Sequence, residues 1–423
     1  MLINYINKIK RNQIEFLKLN TFLLFFWPFI AFINSLKRFS SPSSKLVLLL
    51  FFCIYGYTYY LSKGSTSDAI WYAQSFIDMS GAPYSEFNNI LNKYNDEEGT
   101  TVDLFIPLVN FILSRFTSNY HWLFAVYALF FGYYYVQSIG LLHKIYLCRV
   151  DYYSLLLLFL FISTIPIHRI NGIRFWLASW VFFYSAYHVV LYRRYQFIIL
   201  SVLSSFIHFS FLSVNLILVV YIFLGLRNIL YYQFLIVSFI LPKYIHNNIG
   251  YLSEYFHSGI STKFSIYSKL IDGESLPQTN IISILVGYSN DIIHWYLIAS
   301  VFFVSIKVSR INLSLPHRRL YSFLILFLSC VNFIAEIPSG ERFYIVFYLF
   351  AILYLLFIYT SYVGLHLNIL LYIGVPIFLF NFIFEFRLLT ESLNLILFLP
   401  ITVLLQNGEV NYQAFKLYSK IFH

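Results

Sequence analysis

The residues best suited to chemistry are His168, Arg169 and Arg174, in Pro166-Ile-His-Arg-Ile-Asn-Gly-Ile-Arg-Phe-Trp-Leu-Ala-Ser-Trp180. They stand at the mouth of an apolar run closed by Arg193 and Arg194. Charges at membrane depth are costly and face a cavity or a partner, so by default they mark function. Asn171 is placed to cap a helix, which puts Arg174 in its first turn. A cation there opposes the helix dipole unless an anion lies in front of both. Ser339-Gly-Glu-Arg342 precedes another apolar run and repeats the pattern, with Ser339 as cap, Glu341 favoured by the dipole and Arg342 against it. Two such helix starts on one face suit a diphosphate, which takes forked guanidinium donors and backbone N–H groups. The plainer alternative is that each Arg snorkels to headgroups or pairs with Glu336 or Glu341.

A hydroxyl becomes a nucleophile only as its proton leaves, so a base must accompany an anion site. His208, in Phe-Ile-His-Phe-Ser, is suited to that exchange. It reads equally well as a histidine bonded to Ser204 or Asn215 to fix a turn. His168 is a poorer acceptor beside Arg169, and Glu341 is held by its helix start and Arg342. Asp68, in Ser-Thr-Ser-Asp-Ala-Ile-Trp-Tyr, is a loop carboxylate able to deprotonate an acceptor or bind sugar. Trp71 and Tyr72 beside it suit an interfacial aromatic belt as well. His208 is the first choice of base and Asp68 the second.

These residues need elements to position them. Of 423 residues, 60% are hydrophobic, 22% aromatic and only 11% charged, against roughly 25% charged in soluble proteins. Apolar runs able to cross ~30 Å of hydrocarbon recur throughout. The expected class is an all-α polytopic membrane protein, a single integral membrane domain over residues 1–423 of about twelve spans. The net charge of +10 sits mostly in short turns between apolar runs. That is the positive-inside pattern and argues against nucleic acid. Cys53, Cys148 and Cys330 lie in or beside apolar runs without close pairing, neither a disulfide framework nor a metal site. The first apolar run has basic flanks and no small-residue cleavage site, so a signal peptide is not expected.

In order, residues 1–20 read as a basic cytoplasmic N-terminus and 21–36 as a re-entrant or short helix broken at Pro28. Residues 62–119 read as an acidic outer loop with an amphipathic helix. In it Asp103, Asn110 and Ser114 oppose Leu104, Leu108, Phe111 and Ile112, as in a helix lying at the interface. The stretch Tyr195–Leu226 is too long for one span, and two short helices turning near His208–Ser213 keep the later basic cluster inside. Residues 247–280 form a second outer loop. On this topology Asp68, His168, Arg169, Arg174, His208, Glu336, Glu341, Arg342, Glu385 and Arg387 share the outer end.

There is no P-loop, dinucleotide glycine motif, Asp-x-Asp pair or His-Glu-x-x-His, so nucleotide, metal and other cofactor chemistry lack support. The chain resembles the EpsG-like branch of the Wzy-type polysaccharide polymerases. The likeness lies in Ser67-Asp68-(x)3-Tyr72, Arg174-x-x-Leu177-Ala178, His208-x-Ser210 and Gly340-x-Arg342, taken in that order. Phe175 departs from a family pattern that often has Gln there. The resemblance implies a multi-helix C-type glycosyltransferase fold in the bacterial inner membrane. It implies transfer of a glycan from polyprenyl diphosphate to a lipid-linked repeat unit at the outer face, without metal or nucleotide. Arg169, Arg174 and Arg342 would then hold the diphosphate, and Asp68 or His208 would take the proton. Membrane lipid and a chain-length regulator are the further partners implied. The alternatives are a flippase or other transporter of the same lipid-linked sugars, and an O-antigen ligase or acyltransferase.

Overall fold

The computed structural model describes residues 2–61, 68–87, 89, 103–241, 281–309, 313–337, 339–362, 367–393 and 397. Helices carry the fold, and there is no strand among the described residues. Helix α1 (Leu2–Phe26) stops at Trp27, because a residue before proline is pushed out of the helical region. α2 (Pro28–Leu36) restarts with proline at its first position, where no N–H is needed. The basic N-terminus and the 21–36 segment, read from sequence as tail and helix, are therefore divided differently: residues 2–26 form one helix and 28–36 another.

α3 (Pro42–Tyr57) packs along α6 (Tyr120–Tyr146) at a glycine. A Cβ on Gly56 would lie 2.2 Å from the Phe124 carbonyl oxygen, so only glycine allows this approach. Between them in sequence come α4 (Asp68–Ser80) and α5 (Phe105–Ser114). Arg115 ties these two, donating to the carbonyls of Met79 and Ala82 at the end of α4, as a cation does at a helix C-terminus. The amphipathic reading of α5 holds but its sense is reversed. Asn110 and Ser114 are buried, with Tyr127 donating to Asn110 at 3.0 Å, while Leu108 and Ile112 are exposed. In lipid the polar stripe turns inward and the apolar stripe outward.

α7 (Tyr152–Thr164) ends before Pro166, and a 3-10 turn (Ile167–Gly172) leads into α8 (Ile173–Tyr192). α9 (Phe197–Ile207) and α10 (Phe211–Leu224) form the expected hairpin. Asn215 fastens it, donating to the Ser201 carbonyl at 2.9 Å and Ser205 at 2.8 Å. Then come α11 (Asn228–Ile240), α12 (Ile281–Val308), α13 (Leu315–Ile334), a 3-10 turn (Gly340–Arg342), α14 (Phe343–Ser361) and α15 (Asn368–Ser392). Glu385 and Arg387 lie on α15. The outer loop 247–280 and the stretch 90–102 of the acidic outer loop lie outside the described residues.

Among the described residues five stretches are long and apolar enough to cross a membrane, which makes this a membrane-embedded helical protein. The apolar window of Gly340–Ser361 is 78% buried and that of Asn368–Thr390 only 17%. A helix apolar all round belongs either in a core or against lipid, and α14 and α15 take one role each. At the end away from Arg174 the basic residues bind backbone: Arg319 donates to Leu191 and Arg149 to Tyr359, both at 3.1 Å.

Candidate functional site

Four segments far apart in sequence meet around Arg174, in the first turn of α8. Its Nε donates to the Tyr72 hydroxyl at 3.0 Å, and its Nη1 to Asp103 at 3.1 Å. Its Nη2 lies 3.6 Å from Asp68. Tyr72 in turn donates to Asp68 at 3.3 Å. Tyr72 is fully buried, and burial drives its phenol well above the ordinary tyrosine range, so it stays a donor. Tyr72 is therefore no belt residue; exposed Trp71 is the one that points away. Asp68 is also not in a loop. It opens α4, where a carboxylate suits the helix dipole.

Asp103 was read only as part of an amphipathic face, yet it holds the site together. One oxygen takes Arg174 and the other accepts the Phe209 backbone N–H at 2.7 Å, which fixes the α9–α10 turn. The neighbouring Leu104 N–H donates to the Phe206 carbonyl at 3.2 Å. His208 thus stands with Nδ1 4.0 Å from Asp103. It does not bond Ser204 or Asn215 through its ring. Instead Nδ1 faces Ser210, whose backbone N–H lies at 3.3 Å and whose hydroxyl lies at 3.0 Å. A backbone N–H can only donate, so Nδ1 accepts and the neutral ring carries its proton on Nε2.

The anion reading of Arg174 needs correction at one point. One cation faces two carboxylates, so the cluster carries a net negative charge before any ligand arrives. The two partners differ: the Asp103 side chain is 11% exposed and that of Asp68 is 56%. The outer carboxylate is the one a ligand can replace.

The other expected cations do not join this cluster. Arg169 pairs with Glu385 on α15 at 2.5 Å, and His168 Nε2 lies 3.3 Å from the same carboxylate. Arg169 also lies over Trp176, 5.2 Å from its centroid. Asn171 does not cap α8; it falls within the 3-10 turn, and Gly172 takes the cap position. Ser339 does not cap either. It is left-handed (φ 64°), the turn Gly340–Arg342 follows, and exposed Arg342 itself precedes α14. Glu341 is exposed beside it. Arg342 has no ion pair among the described residues, and its neighbour Phe343 packs on Phe175 and Phe211, both at 5.3 Å. Phe175 also meets the His208 ring at 5.6 Å, so the residue that departs from the family pattern serves as the hydrophobic hub of the site.

Gly340 is required by space. A Cβ there would sit 1.8 Å from the Ile334 carbonyl oxygen. Gly340→Ala must push the turn away from α13 and is expected to cost about 1–3 kcal/mol. The check is a lower melting temperature of the detergent-purified protein.

The fold and cluster define a helical membrane protein with a charged, partly open site at one end of its bundle. No protein-family model matches the chain, and neither does any curated protein or solved structure. Among the described residues no three His, Cys, Asp or Glu are grouped to hold a metal.

Proposed function

We propose that this chain is a polysaccharide polymerase of the bacterial inner membrane, with the site at the outer face. The reading is that it moves a glycan from polyprenyl diphosphate onto a carrier-linked repeat unit. The observation that carries it is convergence. Ser-Asp-(x)3-Tyr, Arg-x-x-Leu-Ala and His-x-Ser are short and weak singly, yet Asp68, Tyr72, Arg174, His208 and Ser210 come together in one cluster. Arg342 of the fourth motif stands at the same end, through Phe343.

The chemistry follows from the exposed position of Asp68. A diphosphate oxygen takes the Arg174 Nη2 that Asp68 holds at 3.6 Å, while Asp103 keeps Nη1. Asp68 is then free to face the acceptor hydroxyl. It takes the proton of the acceptor hydroxyl as that oxygen bonds to the anomeric carbon. The anomeric C–O bond to phosphate breaks, and its electron pair leaves with the diphosphate, which Arg174 and exposed Arg342 neutralise. His208 then serves as an Nε2 donor. Arg169 acts through Glu385, setting the turn in front of α8, and is a positioning residue in this scheme.

Cells lacking the protein are expected to accumulate single repeat units on the carrier, accessible from outside. Units trapped inside would instead mark a flippase. Long chains left on the carrier would mark a ligase.

A further inference from the structure

Helix α4 carries Asp68, and its outward side is not the side of a helix turned to lipid. Ala69, Tyr72, Ala73 and Phe76 are buried against the bundle. Asp68, Trp71, Ser75 and Asp78 follow at steps of three and four, which sets them in one stripe along the helix. Asp68, Trp71 and Asp78 are exposed and Ser75 is half-buried. Exposed Gln74 flanks the stripe, and its amide donates to Asp78 at 2.8 Å. Ile77, the exposed aliphatic residue of α4, projects from a different side.

Trp71 is the stripe's only large apolar group. It packs edge-to-face on the buried Tyr72 ring, with centroids 5.5 Å apart. The hydroxyl of that same Tyr72 donates to Asp68 at 3.3 Å, so one buried residue sets the positions of both the carboxylate and the indole. An exposed indole at the headgroup level suits a belt. Here it stands one turn from Asp68 and between two carboxylates, which hold that side of the helix in water. A pyranose ring matches both kinds of group: its edge hydroxyls donate to carboxylates, and the C–H groups of one face meet the electron-rich face of an indole.

We propose that Trp71 is the platform for the acceptor sugar, an uncharged pyranose whose apolar face lies on the indole while its attacking hydroxyl meets Asp68. The next ring of the repeat unit runs toward Asp78 and Gln74. The proposal rests on the polymerase reading, in which Asp68 takes the acceptor's proton. The class of sugar follows from charge. No Lys or Arg stands on α4, and the carboxylate of a uronic acid would be repelled between Asp68 and Asp78.

The test uses the full-length protein in detergent and the carrier-linked repeat unit extracted from cells lacking the protein. Trp71→Leu should raise the KM for that repeat unit about tenfold, the worth of a stacked ring. Its kcat should stay near wild type, because binding is lost and the base is not. Trp71→Phe keeps a ring and should keep most of the affinity. Trp71 is exposed, so both variants should melt with the wild type. A wild-type KM in Trp71→Leu, or a fall in kcat alone, would leave Trp71 a belt residue and end the proposal. A second measurement needs no turnover: the repeat unit should slow oxidation of Trp71, read by peptide mass spectrometry, and undiminished oxidation would also remove the platform. Protection of Trp71 in a preparation that makes no polymer would strike the polymerase reading and keep the sugar-binding indole. Linkage analysis that places a uronic acid at the acceptor position would overturn the uncharged class.

Discussion

Asp68→Asn should leave the protein folded and stop polymer at a single repeat unit. Asparagine keeps the shape of the side chain and an oxygen for the Tyr72 hydroxyl, which donates at 3.3 Å in the native site. It cannot accept a proton. The pairing lost with Arg174 is long and solvent-exposed, so it contributes less than about 1 kcal/mol to stability. The loss of a general base costs about 10²–10⁴ in rate, enough to remove long chains from a gel. The measurement is polymer length from cells carrying the variant at matched protein level. His208→Gln is the comparison. Its side-chain amide still donates, so shortened polymer is expected rather than none. Normal polymer from Asp68→Asn with arrest in His208→Gln would return the base to His208. The ring would then have to shed its Nε2 proton despite the Ser210 N–H on Nδ1.

The choice between those two bases rests on a direction that sequence does not contain. A His-x-Ser hairpin is visible as letters, but the direction of the Ser210 N–H fixes which ring nitrogen is basic. The helices themselves were legible, because long apolar runs in lipid admit little else. The α9–α10 turn was legible from length alone. Boundaries set by local steric detail were less so: both 3-10 turns, before α8 and α14, displaced the caps expected from Asn171 and Ser339.

Asp103 was the main omission among site residues, although a signal existed. In sequence its spacing to Asn110 and Ser114 continues their polar stripe, and such a stripe beside an apolar helix in lipid marks the face turned toward protein, although Asp103 itself precedes the helix. Glu385 was placed at the correct end of the chain's topology but not paired. Its partners His168 and Arg169 lie on the far side of the sequence, and nothing local to α15 announces them. Trp71 and Tyr72 are adjacent in sequence but face different ways on the helix, one exposed and one buried, so only Trp71 suits an aromatic belt.

Arg174 offers the larger effect of the two, and a means of separating structure from chemistry. Its three nitrogens are used separately, on Tyr72, Asp103 and Asp68. Lysine keeps the charge but brings one compact ammonium to a site built for a fork. Arg174→Lys should therefore lose polymer nearly as completely as Arg174→Ala. Arg174→Ala should also lose stability, because the Asp103 carboxylate is only 11% exposed and is left with the Phe209 N–H alone. Leaving a partly buried carboxylate short of one partner costs about 1–3 kcal/mol, visible as a lower melting temperature in detergent. Adding Asp103→Asn to Arg174→Ala removes the stranded charge while keeping an acceptor for the Phe209 N–H. The double variant should recover most of the melting temperature and none of the polymer. If polymer returned along with stability, Arg174 would be a structural cation only, and the diphosphate would have to rest on Arg342 and the helix starts without it.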